Sequence, residues 1–292
     1  MSTRTKGILI YLLIAVGGAW GIWAVALLLG ALDTGPRGQV IVAAGAFMPA
    51  LAAVIARVVV TREGFADSGL RPRFRHAWPY YLLAWLLPLP VVGFIVALSL
   101  LLGLSQAPLT LSPALVIAAI IGTLVSAPLF IGEELGWRGY LQLRLFGGRL
   151  LPAALLTGLI WGIFHWPLIL IGYEGYENVL LGLAIFPVFT MFYSLLLGWL
   201  RARSGSVWVA CLGHAAANGS GGALTAALFL HSGHFILLSY VGVFAWVPLG
   251  VLWVLLVLSG QFRLSASHLT PSTNASQEED GAAVAAVSHQ MA

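Results

Sequence analysis

Apolar residues in this chain come in long unbroken runs, without the strict alternation of half-buried strands. Eight runs can be marked: Gly7 to Leu32, Gln39 to Val60, Ala77 to Leu104, Ser112 to Phe146, Leu151 to Ile171, Val179 to Leu200, Ser206 to Leu230 and Phe235 to Leu258. A helix rises about 1.5 Å per residue, so about 20 residues cross a hydrocarbon core of about 30 Å. Each run is long enough. The runs are rich in Leu, Ala, Gly and Val, and read as helices and not as the alternating strands of a barrel. The pattern predicts an all-α integral membrane protein with about eight transmembrane helices. Pro79, Pro88 and Pro90 predict a kink in the third. The first run follows a short basic leader, Met1 to Lys6. It exceeds the usual 7–15 residues of a signal h-region, so it is read as a span and not as a cleaved leader.

Composition sharpens this picture. The residues are 60% hydrophobic and 8% charged, and the mean hydropathy is +0.97, which excludes a soluble domain with a single anchor. The formal net charge of +4 gives no reason to expect nucleic acid, because the basic residues sit in short loops beside the spans. Arg4 and Lys6, the 57–76 segment, Arg144 and Arg149, Arg201 and Arg203, and Arg263 all fall at one set of span ends. The other ends carry Asp33, Arg37, Glu174 and Glu177. Basic residues mark the cytoplasmic side, so both termini are expected there. The arginine-rich 57–76 stretch is expected to lie on anionic lipid. Cys211 is the single cysteine, so no intrachain disulfide can form. The expected organisation is an N-terminal helical part over 1–111, a core over 112–225, one further span within 226–260 and a disordered cytoplasmic tail over 261–292, where Ser, Thr, Gln and Glu replace the apolar runs.

Against this apolar background, Glu133-Glu134-Leu135-Gly136-Trp137-Arg138 stands out. A charge at the centre of a spanning helix costs roughly 2.5–3.5 kcal/mol on insertion scales, so three within six residues need a reason. Glu134 and Arg138 stand four apart with the acid first, the favourable order for a helical ion pair. Glu133 is about 100° round the helix from Glu134, so it is left without that cation. The bland reading is a helix end at the interface, with a snorkelling arginine and two solvated acids.

Two histidines lie deep in apolar runs: His165, four residues after Trp161, and His214, four residues before Asn218. Glu133 precedes the turn at Phe146 and His165 follows it, each by roughly 20 Å of helix. His214 enters from the same end, past Ser206. The three are expected to converge in the cytoplasmic half of the membrane. His214 and Asn218 share a helical face among small residues that allow close approach.

These residues carry a resemblance. Glu-Glu-x-x-x-Arg at 133–138, aromatic-x-x-x-His at 161–165 and His-x-x-x-Asn at 214–218, in that order on successive spans, resemble the CPBP family. That family comprises intramembrane proteases related to the type II CAAX prenyl endopeptidases and to bacteriocin-immunity proteins. The resemblance covers about residues 112 to 225. The family's aromatic is often Phe where this chain has Trp161, a difference expected to touch a pocket wall and to leave the chemistry alone. The resemblance implies a glutamate-dependent endopeptidase without cofactor or metal, acting on a membrane-associated or lipidated peptide, with its site open toward the cytoplasm. Glu133 and His165 would activate water, His214 and Asn218 would stabilise the oxyanion, and Glu134 with Arg138 would orient Glu133.

Three other readings stay open on the residues alone. Glu133, His165 and His214 are a sufficient set for catalytic zinc. The chain could be a non-catalytic binder of the immunity type. It could also be a proton-coupled transporter relaying through the same three residues, although the internal repeats common in transporters are not visible.

Overall fold

A computed structural model of the chain describes residues 1–32, 35–104, 111–229 and 232–262. The expected disorder of the tail falls almost wholly outside them. The described residues are helical, with no strand. Seven helices are long and apolar enough to cross a membrane: α1 Thr3–Leu28, α2 Pro36–Thr61, α3 Phe74–Leu101, α4 Pro113–Gly148, α5 Leu150–Leu170, α6 Val179–Ser204 and, last in the chain, α8 Phe235–Leu258. Large aliphatic side chains such as Leu13, Leu28, Val40, Leu101, Val125, Leu180 and Leu258 stand exposed on these helices. That suits a lipid solvent and not water.

The remaining expected span, 206–230, is a helix over 207–229, called α7, but it is not among the seven. Its sequence explains why. His214, Asn218, Ser220 and a run of glycines dilute its hydropathy, and Val207, Val209, Ala210, Cys211, Ala215 and Ala216 are fully buried. Its first half is surrounded by protein, so it has less need of lipid-soluble side chains there.

Local chemistry interrupts several helices where the site is built. Pro128 accompanies a 3-10 turn at Ala127–Phe130, and a π-helical turn spans Trp137–Leu141, so Glu133 and Glu134 sit in the short α stretch Ile131–Gly136 between the two. A second π segment, Ala217–Ala223, follows His214 in α7. Such turns are frequent at functional sites. In α3 the proline kink appears as a break at Leu87 between Phe74–Leu86 and Pro88–Leu101.

Glycines set the close approaches. A Cβ on Gly158 would lie 2.6 Å from the Met191 Cα, and one on Gly162 would collide with the Pro187 backbone, so α5 packs directly on the main chain of α6. Likewise a Cβ on Gly136 would sit 2.6 Å from the Pro49 carbonyl carbon, which ties α4 to α2.

The basic residues gather at one end of the bundle. Arg57 pairs with Asp67 at 2.7 Å, and donates to the Gly64 and Gly139 carbonyls at 2.6 Å each. Arg144 pairs with Glu63, Arg4 donates to the Arg144 carbonyl, and Arg201 donates to the Asp67 carbonyl. The segment after α2 therefore folds across the helix ends as a strap. This corrects the lipid-facing expectation for Arg57, which is fully buried because two acids and two carbonyls satisfy it. Arg62, Arg71, Arg73 and Arg75 are exposed, as expected for that surface.

Candidate active site

Glu134 and Arg138 are fully buried and joined at 2.8 Å, so the interfacial reading with solvated acids does not hold. Two buried charges are tolerable only when paired and hydrogen-bonded. The Glu134 oxygen that takes Arg138, Oε1, also contacts His214 Nδ1 at 2.9 Å. Glu134 thus holds His214, and not Glu133 as the sequence suggested. The Arg138 guanidinium lies 4.5 Å from the centre of the Trp161 ring, a cation–π contact.

Glu133 has no cation partner among the described residues. Its Oε2 accepts two indole N–H bonds, from Trp161 at 2.7 Å and from Trp137 at 3.2 Å. Trp161 is therefore more than a wall, which corrects the expectation that its departure from Phe is neutral. A phenyl ring has no N–H to offer.

His165 sits at the break between the Leu150–Phe164 and Trp166–Leu170 pieces of α5. Pro167 explains the break, since a proline ring crowds the carbonyl four residues back. At the break, the His165 amide bonds the Gly162 carbonyl instead of the Trp161 carbonyl. The freed Trp161 carbonyl accepts from His165 Nδ1 at 2.8 Å. A carbonyl can only accept, so Nδ1 carries the proton and Nε2 is left to act. The imidazole of His214 stands edge-on to Trp161, with ring centres 4.9 Å apart, and 4.4 Å from the centre of Phe130.

The structure thus joins Glu134, Arg138, Trp161 and His214 in one contact network, with Glu133 and His165 both bonded to Trp161. Asn218 stands apart from it. Asn218 is exposed while His214, four residues before it, is buried, and a π segment begins at Ala217 between them. Among the described residues, no side-chain hydrogen bond constrains the Asn218 amide. Among the described residues, no three His, Cys, Asp or Glu side chains converge as a metal-ligand set.

Two contributors escaped the sequence reading. Trp137 sits inside the charged motif, where its aromatic character reads as packing. Glu174 is a loop acid after α5. A Schellman turn at Gly172, with the Tyr173 amide on the Leu168 carbonyl and the Gly172 amide on the Ile169 carbonyl, folds this loop back over the helix end. Tyr176 pins the loop through the Val241 carbonyl, and Tyr173 through Gln39. Glu174 is half-buried and feels the charges of His165, Glu133 and His214. Burial pushes its carboxyl above the ordinary range; His165 and His214 oppose that rise and Glu133 adds to it. No sequence motif marks it.

The loop that reaches the site comes from the end opposite the arginines. His165 lies five residues before Leu170 and fifteen after Leu150, toward the loop end of α5.

Residues 113–220 match the family described as Rce1-like, type II CAAX prenyl endopeptidase Rce1-like. No curated protein and no solved structure matches the chain. The matched stretch contains the acid pair, its arginine, Trp161, both histidines and Asn218. The likeness to that family is thus confined to residues 113–220, the part of the chain that holds the candidate site.

Proposed function

We propose that the protein is an endopeptidase that hydrolyses a peptide bond of a membrane-associated substrate, with prenylated CAAX-type peptides as the first class to try. The observation that carries the reading is Glu133: a cation-free carboxylate at membrane depth, held through one oxygen, in the stretch that matches the family.

In this reading Glu133 takes a proton from water as the water oxygen attacks the scissile carbonyl carbon. His165, through Nε2, shares and orients that water. The oxyanion receives a hydrogen bond from the Asn218 amide and one from His214 Nε2. Glu134 is an acceptor beside Arg138, so it holds His214 Nδ1–H, and His214 donates from Nε2 as the imidazolium. The tetrahedral intermediate then collapses. The C–N bond breaks, the nitrogen takes the proton held by Glu133, and a carboxylic acid and an amine leave.

One observation keeps a metal-dependent version in view: both histidines have Nδ1 tied to an oxygen and Nε2 free, the arrangement that metal-ligating histidines also use. The test is purified full-length protein in detergent or vesicles, given prenylated and unprenylated peptides, with products read by mass spectrometry. Cleavage that survives a chelator supports the glutamate mechanism. Cleavage lost with the chelator and restored by zinc supports the metal version, and no cleavage of any peptide supports a binding or transport role.

A further inference from the structure

Trp161 touches four charged or titratable groups of the constellation, Glu133, Arg138, His165 and His214. Its indole N–H donates to Glu133 Oε2, its carbonyl accepts from His165 Nδ1, its ring lies against the Arg138 guanidinium, and its edge meets the His214 imidazole. Each contact removes a freedom. A carboxylate can rotate to present either oxygen, but here Oε2 is taken by two indole donors. Oε1 has no partner among the described residues and is not sealed from solvent. An imidazole can carry its proton on either nitrogen, but the carbonyl fixes it on Nδ1.

Resting on the hydrolase reading above, we infer that Trp161 is the positioning residue of this site: it presents Glu133 Oε1 and His165 Nε2 as the two working atoms. Its indole N–H is the part that matters. Phe at this position would keep the carbonyl and a ring for Arg138 and His214, but would leave Oε2 with Trp137 alone, at the longer 3.2 Å. The protein has thus recruited a hydrogen bond that a Phe at this position cannot make.

The test separates the N–H from the ring. Trp161 is replaced in the full-length protein by its benzothiophene isostere, in which sulfur stands for the N–H, and in parallel by Phe. Both variants lose one hydrogen bond to a charged group, so kcat should fall roughly 10- to 100-fold while KM and melting temperature stay near wild type. Wild-type kcat in the isostere overturns the inference, as does a loss of activity matched by a loss of thermal stability. A second readout does not need turnover: the indole N–H resonances of nitrogen-15-labelled protein. Glu133→Gln replaces a charged acceptor by a weaker neutral one, so the Trp161 and Trp137 signals should move together while other tryptophans hold still. If they do not move, the inference fails even for an active hydrolase. If they move in a protein that cleaves no peptide, Trp161 does position Glu133 and the hydrolase reading is the part that fails.

Discussion

At the scale of single residues, the site is held by carboxylate oxygens that each serve two partners. Glu134 Oε1 is shared by Arg138 and His214, so removing the arginine strands a buried carboxylate beside an imidazole. Arg138→Ala should therefore cost roughly 3–5 kcal/mol of stability, the range for breaking a buried pair from one side. Replacing Glu134 and Arg138 together by Gln and Met should recover part of it. Melting curves in detergent check both variants, and an unchanged midpoint for Arg138→Ala would mean that the pair is not buried in solution. Glu174 offers a pH test. Its folded-state carboxyl is raised above the ordinary 4.5, chiefly by burial, so the folded protein binds that proton more tightly than the unfolded chain. The stability it contributes is complete below that ordinary value and is lost as pH rises through the folded one. Wild type should therefore lose melting temperature across that window relative to Glu174→Gln, and parallel profiles would refute the assignment. The pairing of Glu134 with Arg138 was legible from their spacing. The roles of Trp137 and Trp161 were not, because an indole in an apolar run reads as packing until its N–H is placed.

At the scale of elements, the site depends on helices being broken in the right places. Two irregular turns flank the acid pair in α4, Pro167 opens α5 at His165, and a π segment begins at Ala217, between His214 and Asn218. The sequence announced the prolines but not the π turns, since these follow from how side chains pack across helices and leave no residue signature. The α5–α6 contact keeps His165 in place. Gly158→Ala would put a methyl 2.6 Å from the Met191 Cα, where only main chain could yield. Overpacking of this kind costs typically 1–3 kcal/mol, and pushing the helices apart should lower kcat along with the melting temperature. Wild-type values for both would show that the two helices slide freely.

At the scale of the whole molecule, the arginine groups read as one side of the membrane do come together. Arg4, Arg57, Arg144 and Arg201 meet around Glu63 and Asp67. Which compartment that end faces is an expectation from the basic residues, and it carries a consequence. If the arginine end is cytoplasmic, the loop with Glu174 and Glu177 lies on the far side. The buried Cys211 is the single native thiol, so one added cysteine can report alone. Glu177→Cys should react with an impermeant maleimide added to intact cells, whereas Arg203→Cys should react only after the membrane is opened. The reverse pattern would overturn the orientation read from the basic residues. The number of spans was legible from run lengths, except that the most functional helix is also the least hydrophobic, because protein rather than lipid surrounds its first half.

Everything in the proposed chemistry converges on one oxygen atom, Oε1 of Glu133. Glu133→Gln keeps the shape of the side chain and an oxygen to accept the indole bonds, yet cannot take a proton from water. The most direct measurement is peptide turnover by this variant, alongside its binding of the same peptide. Turnover should vanish while binding stays within a few-fold of wild type. Hydrolysis that persists in Glu133→Gln would contradict a glutamate base at this site.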